Sequence, residues 1–231
     1  MKILNFDTSL DKTYITLSDN GSILKSVVIE NQEGKYHSAF LIPKLAEILA
    51  EFNLMVKDLD FIATNLGPGS FTGIRAGLTV ARTLCQQANI KAIGFTSLEI
   101  LSKINTSQKN TYVMLDARKD MAYVEVIAPN GEIIELPCAK LVEDVVNTIK
   151  NSDYFVVADE KMSEVLSNRS IEHVNYKAKN YDLGAFLNEL ANNFVKNNPD
   201  ADYNWAKLKP LYIQPPPVTV NKVLVPRCQD V

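Results

Sequence analysis

The sequence predicts an α/β protein of two similar lobes, each built from a three-strand meander followed by helices. In the first half, a short apolar strand ends at Asp7, an alternating strand follows, and Asn20-Gly21 marks a hairpin turn. In the second half, a strand ends at Asp116, another strand follows, and Asn130-Gly131 marks the turn. Each acid stands 14 or 15 residues before the glycine of its turn, and this recurrence predicts a duplicated fold.

The boundary between the lobes is predicted at a polar run, residues 105–110, which has the composition of a linker. The first lobe then covers residues 1–106, and the second covers residues 107–214. The last stretch, residues 215–231, is rich in proline and is predicted to be an extended tail. A chain of 231 residues with 46% hydrophobic residues can bury a full core in this arrangement.

Composition and charge exclude several classes of protein. A net charge of -3 disfavours a chain that holds nucleic acid through its own basic surface, so we expect RNA contact only through a partner. No apolar run approaches the ~18 residues of a membrane span, and the chain opens on a strand rather than on a secretion signal. The three cysteines are far apart and indicate neither a disulfide framework nor a zinc site. We therefore expect a cytoplasmic protein without membrane contact.

Residues 38–52 predict an amphipathic helix whose apolar face is unusually wide. One apolar stripe is enough to cover a sheet. The adjoining second stripe suggests burial on another side, either within the fold or against another protein. The candidate partner-binding residues of this helix are Leu41, Ile42, Leu45, Ala46 and Leu49.

The most specific pattern in the chain is a buried strand, a tight turn and a helix start in the first lobe. Gly67, Pro68 and Gly69 shape the turn, and Ser70 or Thr72 can cap the helix. The spacing fits neither phosphate-binding pattern. No Gly-Lys-Ser/Thr follows Gly67 at the required distance, and Thr72 stands where the third glycine of a dinucleotide fingerprint belongs. We therefore expect a structural elbow.

The helix after the elbow, residues 72–88, carries small residues at every fourth position, namely Gly73, Gly77 and Ala81. A glycine inside a helix costs roughly 1 kcal/mol against alanine, so close packing against another helix is expected to compensate. The sequence leaves open whether that helix belongs to this chain or to a partner, and the three residues are candidates for partner binding. Arg75 lies in the first turn, where positive charge is disfavoured, and is predicted to pair with a carboxylate.

The strand-end acids Asp7 and Asp116 raise an enzymatic alternative, because carboxylates at such positions can hold magnesium or act as a base. No glycine follows either acid to admit a phosphate, which favours hydrogen-bonded turn acids instead. The only histidines, His37 and His173, are 136 residues apart and form no helical metal pair, and neither can be placed as a base for Ser70. A kinase-like ATP-binding enzyme or a hydrolase remains the alternative function.

Five motifs occur together along this chain. They are Asp7-Thr8-Ser9, His37 with the apolar helix that follows it, the elbow at residues 67–75, Asp116-Ala117-Arg118, and Pro210-Leu211-Tyr212. With these motifs the chain resembles the bacterial TsaB family of tRNA threonylcarbamoyladenosine biosynthesis proteins. The resemblance implies a fold of the actin, sugar-kinase and Hsp70 type with two RNase H-like lobes, in agreement with the repeat.

The resemblance also implies a function and a set of partners. It implies a non-catalytic subunit that binds TsaD, the subunit that transfers a threonylcarbamoyl group to adenosine next to the tRNA anticodon. Helices of the N-terminal half are implied to form that contact. ATP and a metal are expected on partner subunits, which can include an ATPase, and no catalytic or metal site is assigned to this chain. Its tRNA contact is implied through the complex alone, and the apolar face also allows a homodimer.

Overall fold

The computed structural model describes residues 1–30 and 37–214. The tail predicted at residues 215–231 and the side chain of His37 lie outside the described residues. The described chain forms two five-stranded mixed sheets with helices packed on their faces, and a short polar loop connects the two halves. The predicted α/β fold class is therefore confirmed.

The first sheet has the strand order β3-β2-β1-β4-β5. Its strands are β1 (Lys2–Asp7), β2 (Lys12–Asp19), β3 (Ser22–Glu30), β4 (Phe61–Asn65) and β5 (Lys91–Phe95). The helices of this half are α1 (His37–Glu51), α2 (Phe71–Ala88) and α3 (Ser97–Ser102). A one-turn 3₁₀ helix, Val56–Asp58, precedes β4.

The second sheet repeats this arrangement with the order β10-β9-β6-β7-β8. Its strands are β6 (Thr111–Asp116), β7 (Met121–Ile127), β8 (Ile133–Leu141), β9 (Phe155–Ala158) and β10 (Val174–Asn175). The helices are α4 (Val142–Lys150), α5 (Glu160–Ser167) and α6 (Leu183–Asn197), and a 3₁₀ helix, Trp205–Lys207, follows.

The repeat predicted from the sequence is confirmed strand by strand. In each sheet the first three strands form an antiparallel meander, and two further strands add in parallel beside the first strand. The first predicted hairpin turn is present, with Asn20 and Gly21 at φ values of 49° and 84°. This pair of left-handed conformations is the reason why Asn-Gly is favoured in two-residue hairpins.

Two strand predictions needed correction in length. The sequence predicts the third strand of the second meander to stop before Pro137, whereas β8 continues to Leu141. Strand β8 lies at the edge of its sheet, where the N–H that proline lacks can be absent without breaking the ladder. The strand predicted at residues 172–176 is reduced to Val174–Asn175, which pairs with β9 for two residues.

The two halves share a hydrophobic core, because one helix from each half packs against the other half. Leu98 and Leu101 of α3 are fully buried in the same cluster as Val113 of β6. Helix α6, which follows the second sheet, buries Leu187 against the first sheet, and its Asn188 accepts hydrogen bonds there. The two sheets lie on either side of the predicted boundary near residue 106, but residues after 183 pack largely on the first half.

Candidate functional site

Asp7, at the end of β1, is held by three hydrogen bonds inside the first lobe. Its carboxylate accepts from the amide and hydroxyl of Ser9, at 2.7 and 2.6 Å, and from Nδ2 of Asn65 at 2.9 Å. Only 1% of the residue is exposed. Burial raises the pKa of the Asp7 carboxyl, and the hydrogen bonds from Ser9 and Asn65 oppose that rise. Asp7 thus has the geometry of a hydrogen-bonded turn acid rather than of an open magnesium ligand.

Asp116 ends β6 at the corresponding place in the second lobe and is more open to solvent. Its Oδ1 accepts from the amide of Arg118 at 3.0 Å and pairs with Nζ of Lys161 at 2.9 Å. The amide of Asp116 donates to Asp159, whose carboxylate also caps α5. These bonds close the turn after β6, so the second strand-end acid also serves the local backbone.

Two buried tyrosines lie close to strand ends of the two sheets. Tyr14 pairs with Asp7 in the β1–β2 ladder, and the amide of Tyr176 donates to the last residue of β9. The two residues are 4% and 6% exposed and belong to the core shared by the halves. Burial raises the pKa of the Tyr176 phenol, and negative charge on Asp11 and Asp159 raises it further. The Tyr176 phenol therefore lies near acids of both lobes.

The predicted elbow uses its backbone amides within the chain. The amide of Gly67 donates to Oδ1 of Asn65 at 2.8 Å, that of Ser70 donates to the carbonyl of Ser9 at 2.7 Å, and that of Gly73 donates to Oγ of Ser70 at 3.2 Å. Ser70, rather than Thr72, is thus the cap of α2. A phosphate held by this turn would have to displace these bonds.

Two residues that the sequence analysis did not single out tie the elbow together. Nδ2 of Asn65 lies 2.9 Å from both Asp7 and Ser97, and Oγ of Ser97 donates to the carbonyl of Pro68 at 2.7 Å. The space beside Gly69 is taken by the backbone of Ser9. A polar residue at the end of an otherwise apolar strand was the available signal for Asn65. The elbow therefore positions the Asp7 loop and the start of α3.

The small residues of α2 pack inside the chain. A Cβ at Gly73 would overlap the carbonyl of Thr8, and one at Gly77 would lie 2.8 Å from the Thr8 hydroxyl. That hydroxyl donates to the carbonyl of Gly73 at 2.7 Å, and Ala81 is fully buried. Of the two alternatives that the sequence left open, the structure has internal packing. At Gly73 and Gly77 the close neighbour is the loop after β1 rather than a helix, which corrects the prediction for these two residues.

The candidate residues of α1 divide between the core and the surface. Leu41, Leu45 and Leu49 are buried against the first sheet, whereas Ile42 is 59% exposed and Ala46 is also exposed. Pro43 lies within the helix, on its exposed side. The second apolar stripe predicted from the sequence was Ile42, Ala46 and Leu49, and of these Ile42 and Ala46 are uncovered while Leu49 is buried.

Arg75 is paired with aromatic rings rather than with a carboxylate, which corrects the prediction from the sequence. Its Nε donates to the hydroxyl of Tyr212 at 2.9 Å, and its guanidinium lies 3.9 Å from the centroid of the Phe71 ring. The sequence could not show this contact, because Tyr212 returns to α2 from the far end of the chain. The amide of Leu211 fixes that return by donating to the carbonyl of Leu66 at 2.8 Å.

A buried acid, Glu125, joins the two halves beside the half-buried Glu99, and the sequence analysis missed both. Glu125 of β7 is completely buried and accepts a hydrogen bond from the hydroxyl of Thr96, the cap of α3, at 2.9 Å. Its other oxygen has no hydrogen-bond partner within the described residues. Burial, with the nearby Glu99 adding to it, raises the pKa of Glu125 to about 8. The available signal was one acid inside the apolar strand β7.

Neither a metal centre nor a membrane helix is found in the described residues. Within residues 1–30 and 37–214, no three His, Cys, Asp or Glu side chains come close enough together to hold a metal ion. No helix in those ranges is long and apolar enough to cross a membrane. His173 accepts or donates one hydrogen bond, between its Nδ1 and the carbonyl of Ile171 at 2.8 Å.

Comparison with known proteins identifies a family. Residues 23–173, more than half of the chain, match the family profile described as TsaD: tRNA N6-adenosine threonylcarbamoyltransferase. The chain is also 26% identical over 189 residues to the tRNA threonylcarbamoyladenosine biosynthesis protein TsaB of Buchnera aphidicola, a match that covers 78% of this chain and 81% of that protein. The TsaB protein of Haemophilus influenzae is 26% identical over 173 residues, covering 68% and 71% of the two chains.

Among solved structures, the chain is similar to YeaZ from Pseudomonas aeruginosa. The TM-score is 0.73 at 20% sequence identity, and the match covers 91% of this chain and 99% of that chain. At this identity the likeness shows the fold. The two lobes of the actin, sugar-kinase and Hsp70 type that the sequence predicts are thereby confirmed.

Proposed function

This chain belongs to the tRNA N6-adenosine threonylcarbamoyltransferase family as a member of its TsaB group, and from that membership we propose that it is a non-catalytic subunit for tRNA modification. In this role it binds and supports a TsaD-like catalytic subunit that forms threonylcarbamoyladenosine next to the anticodon. The observation that carries the proposal is the row of exposed apolar residues on α1, Ile42, Ala46 and Ala50. It occurs in a chain whose own strand-end acids and elbow amides are already hydrogen-bonded internally.

The non-catalytic part of the proposal is supported by the geometry of the strand ends. A kinase of this architecture needs an open acid for magnesium and free amides for phosphate. Here Asp7 is buried under three hydrogen bonds, and the amide of Gly67 donates to Asn65. These contacts disfavour the kinase-like alternative for the isolated chain.

The partner-binding part is supported by the exposed sides of α1 and α2. Ile42, Ala46 and Ala50 follow one another at helical spacing on the exposed side of α1. The adjacent helix α2 contributes the half-buried Ala76 and Val80. Burying an exposed isoleucine contributes about 1.5–3 kcal/mol, and small neighbours allow a helix to come close. This stripe, Ile42, Ala46 and Ala50, is the surface that we assign to the catalytic partner.

The remaining partners follow from the same assembly. We assign ATP and a catalytic metal to the partner subunits, one of which can be an ATPase, and tRNA contact to the complex. In the absence of a partner, the same apolar stripe can pair two copies of this chain. We place the assembly in the cytoplasm, where tRNA is modified.

We expect Ile42→Glu to weaken binding to the TsaD-like subunit by about a hundredfold, because burying an unpaired carboxylate in an apolar contact costs several kcal/mol. Isothermal titration calorimetry with the purified catalytic subunit measures the change. Ile134→Glu is the matched control, since Ile134 is a 54% exposed isoleucine on β8, away from both helices. Equal affinity of the two variants would remove the α1 stripe from the interface.

Reconstitution tests the function itself. Purified catalytic subunit, threonylcarbamoyl-adenylate and unmodified tRNA are combined with and without this chain, and modified adenosine is measured by mass spectrometry. Modification is expected to depend on this chain, which alone transfers nothing and hydrolyses no ATP. Modification that proceeds equally without it would contradict the proposed role, and magnesium-dependent ATP hydrolysis by the isolated chain would favour the enzymatic alternative.

A further inference from the structure

We propose that the groove between α2 and the returning C-terminal segment binds an extended acidic segment of a protein partner. The groove has a volume of about 360 Å³ and is open along one side of α2. Its walls include Arg75, Thr79 and Arg82 from the helix and Trp205 and Pro210 from the returning segment. None of the residues that line the groove belongs to α1.

The groove is built from two of the motifs singled out in the sequence. The end of the elbow motif supplies Arg75, and the motif at residues 210–212 forms the opposite wall. The wall is fixed by the hydrogen bond from the amide of Leu211 to Leu66, and by Nη1 of Arg82, which donates to the carbonyl of Leu208 at 2.9 Å. Leu208 is buried in the core of the first lobe. The groove is therefore preformed.

The guanidinium groups of Arg75 and Arg82 are held in place, and each has further N–H donors that can bind a ligand. Arg75 lies against the ring of Phe71 and donates through Nε, and Arg82 lies 5.5 Å from the centroid of the Trp205 ring and donates through Nη1. A guanidinium has five N–H donors, and within the described chain neither arginine takes part in a salt bridge. These cations are oriented before any ligand arrives, which lowers the entropy cost of binding.

The charge of the groove differs from that of the chain. The chain carries a net charge of -3, whereas none of the side chains that line the groove is acidic. Arginine pairs with carboxylates through two parallel hydrogen bonds, and threonine hydroxyls such as that of Thr79 can add further bonds. An anionic ligand therefore complements this surface.

The spacing of the cations favours an extended peptide over a small anion. Arg75 and Arg82 are seven residues apart, which is about 10 Å along a helix. In a polyproline II segment, side chains three residues apart project on the same side about 9 Å from one another. Aromatic walls such as Trp205 also suit segments of this conformation. Acidic residues three apart can therefore reach both guanidiniums.

Two other occupants fit less well. Residues 215–231 of this chain carry Lys222 and Arg227 against one acid, Asp230, so their charge is wrong for the groove. A nucleic acid strand is usually held by several cations along its phosphates, and this groove presents two arginines on a chain of net negative charge.

Trp205 makes the test direct, because it is the single tryptophan of the chain and forms part of the groove wall. The full chain is titrated with a synthetic peptide of repeated Glu-Pro-Pro, and tryptophan emission is recorded. The emission is expected to change and to saturate. The matched Gln-Pro-Pro peptide is expected to bind at least about tenfold more weakly, because it cannot form the charged pairs.

Variants locate the binding. Arg75→Gln and Arg82→Gln are each expected to weaken the acidic peptide by about tenfold, since each removes one charged pair. Arg118→Gln, an equal charge change at an exposed arginine outside the groove, is expected to leave binding unchanged. Circular dichroism checks that each variant is folded, and Arg75→Lys and Arg82→Lys, which keep the charge, are expected to retain part of the affinity.

Several results would overturn the proposal. These are equal binding of the acidic and neutral peptides, unchanged binding in both arginine variants, no response of Trp205, and a response to an oligouridylate but not to the acidic peptide. The proposal is independent of the proposed function. Ile42→Glu is expected to bind the acidic peptide normally, so failure of the α1 interface and failure of the groove are distinguishable.

Discussion

Glu125→Gln is expected to make the protein more stable above neutral pH and to flatten the dependence of its stability on pH. Glu125 is completely buried where β7 meets α3, and its carboxyl has a pKa of about 8 against an ordinary value of 4.5. The first cause is loss of hydration, and the negative charge of Glu99 adds to it. A neutral amide of the same shape removes both effects.

The direction of the pH dependence of stability follows from the raised pKa of Glu125. The folded state keeps the Glu125 proton up to about pH 8, whereas the unfolded chain releases it near pH 4.5. Stability from this group is therefore fully present below pH 4.5 and is lost as the pH rises towards 8. At pH 9 the loss amounts to roughly 5 kcal/mol at most, so the variant and the natural protein are expected to be similar at pH 5 and to differ by up to that amount at pH 9.

Urea unfolding followed by circular dichroism at pH 5, 7 and 9 measures the difference. Glu132→Gln is the control, because Glu132 is an exposed acid in the turn before β8 of the same sheet. Its stability is expected to follow that of the natural protein at each pH. A Glu125→Gln variant that loses stability equally at pH 5 and pH 9 would show that the carboxyl is ionised in the folded state.

Gly73→Ala is expected to destabilise the protein by about 2 kcal/mol or more, because the added methyl group overpacks a close contact. Helix propensity alone predicts the opposite sign, since alanine is favoured over glycine by about 1 kcal/mol inside a helix. The added Cβ would overlap the backbone carbonyl of Thr8, which is fixed by the Thr8 hydroxyl bonding back to α2. Backbone atoms cannot rotate away, so the contact outweighs the propensity.

Urea unfolding at one pH shows whether Gly73→Ala lowers or raises the free energy of unfolding. Gln87→Ala on the same helix is a suitable comparison, because Gln87 is exposed and its replacement is expected to change stability by less than about 0.5 kcal/mol. A Gly73→Ala variant as stable as the natural protein would show that the loop after β1 can move away from α2. The ridge would then be open to closer packing by another element.

Asp7 and Arg75 show which contacts sequence patterns can predict and which they cannot. The sequence favoured a hydrogen-bonded turn at Asp7 because no glycine follows to admit a phosphate, and the bonds from Ser9 are local contacts of that kind. It did not single out Asn65, whose side chain reaches Asp7 from 58 residues further along the chain. The same reasoning failed for Arg75. Its partner Tyr212 stands 137 residues away, and no local rule connects the two.

The helices α1 and α2 show a second difference between what the sequence predicts and what the structure determines. Periodicity identified both apolar stripes of α1, but it could not tell that Leu45 faces the core while Ile42 stays exposed. For α2 the small residues predicted close packing, and the structure decided that the loop carrying Thr8 fills the space at Gly73. The spacing of small residues along a helix shows that some other segment packs closely on that helix. Which segment it is depends on the order of the strands in the sheet.

The sequence by itself determined the duplicated meander, the hairpin turn, the elbow with its caps and the two apolar stripes of α1, because periodicity and turn chemistry are properties of neighbouring residues. Tertiary structure alone decided which residues of those stripes are buried, which loop lies against Gly73 and Gly77, where Glu125 meets Thr96, and how the returning segment forms a groove over α2. Those contacts join residues distant in the chain. Their geometry is set by how the two sheets pack together with α3 and α6, the helices that each contact the opposite half.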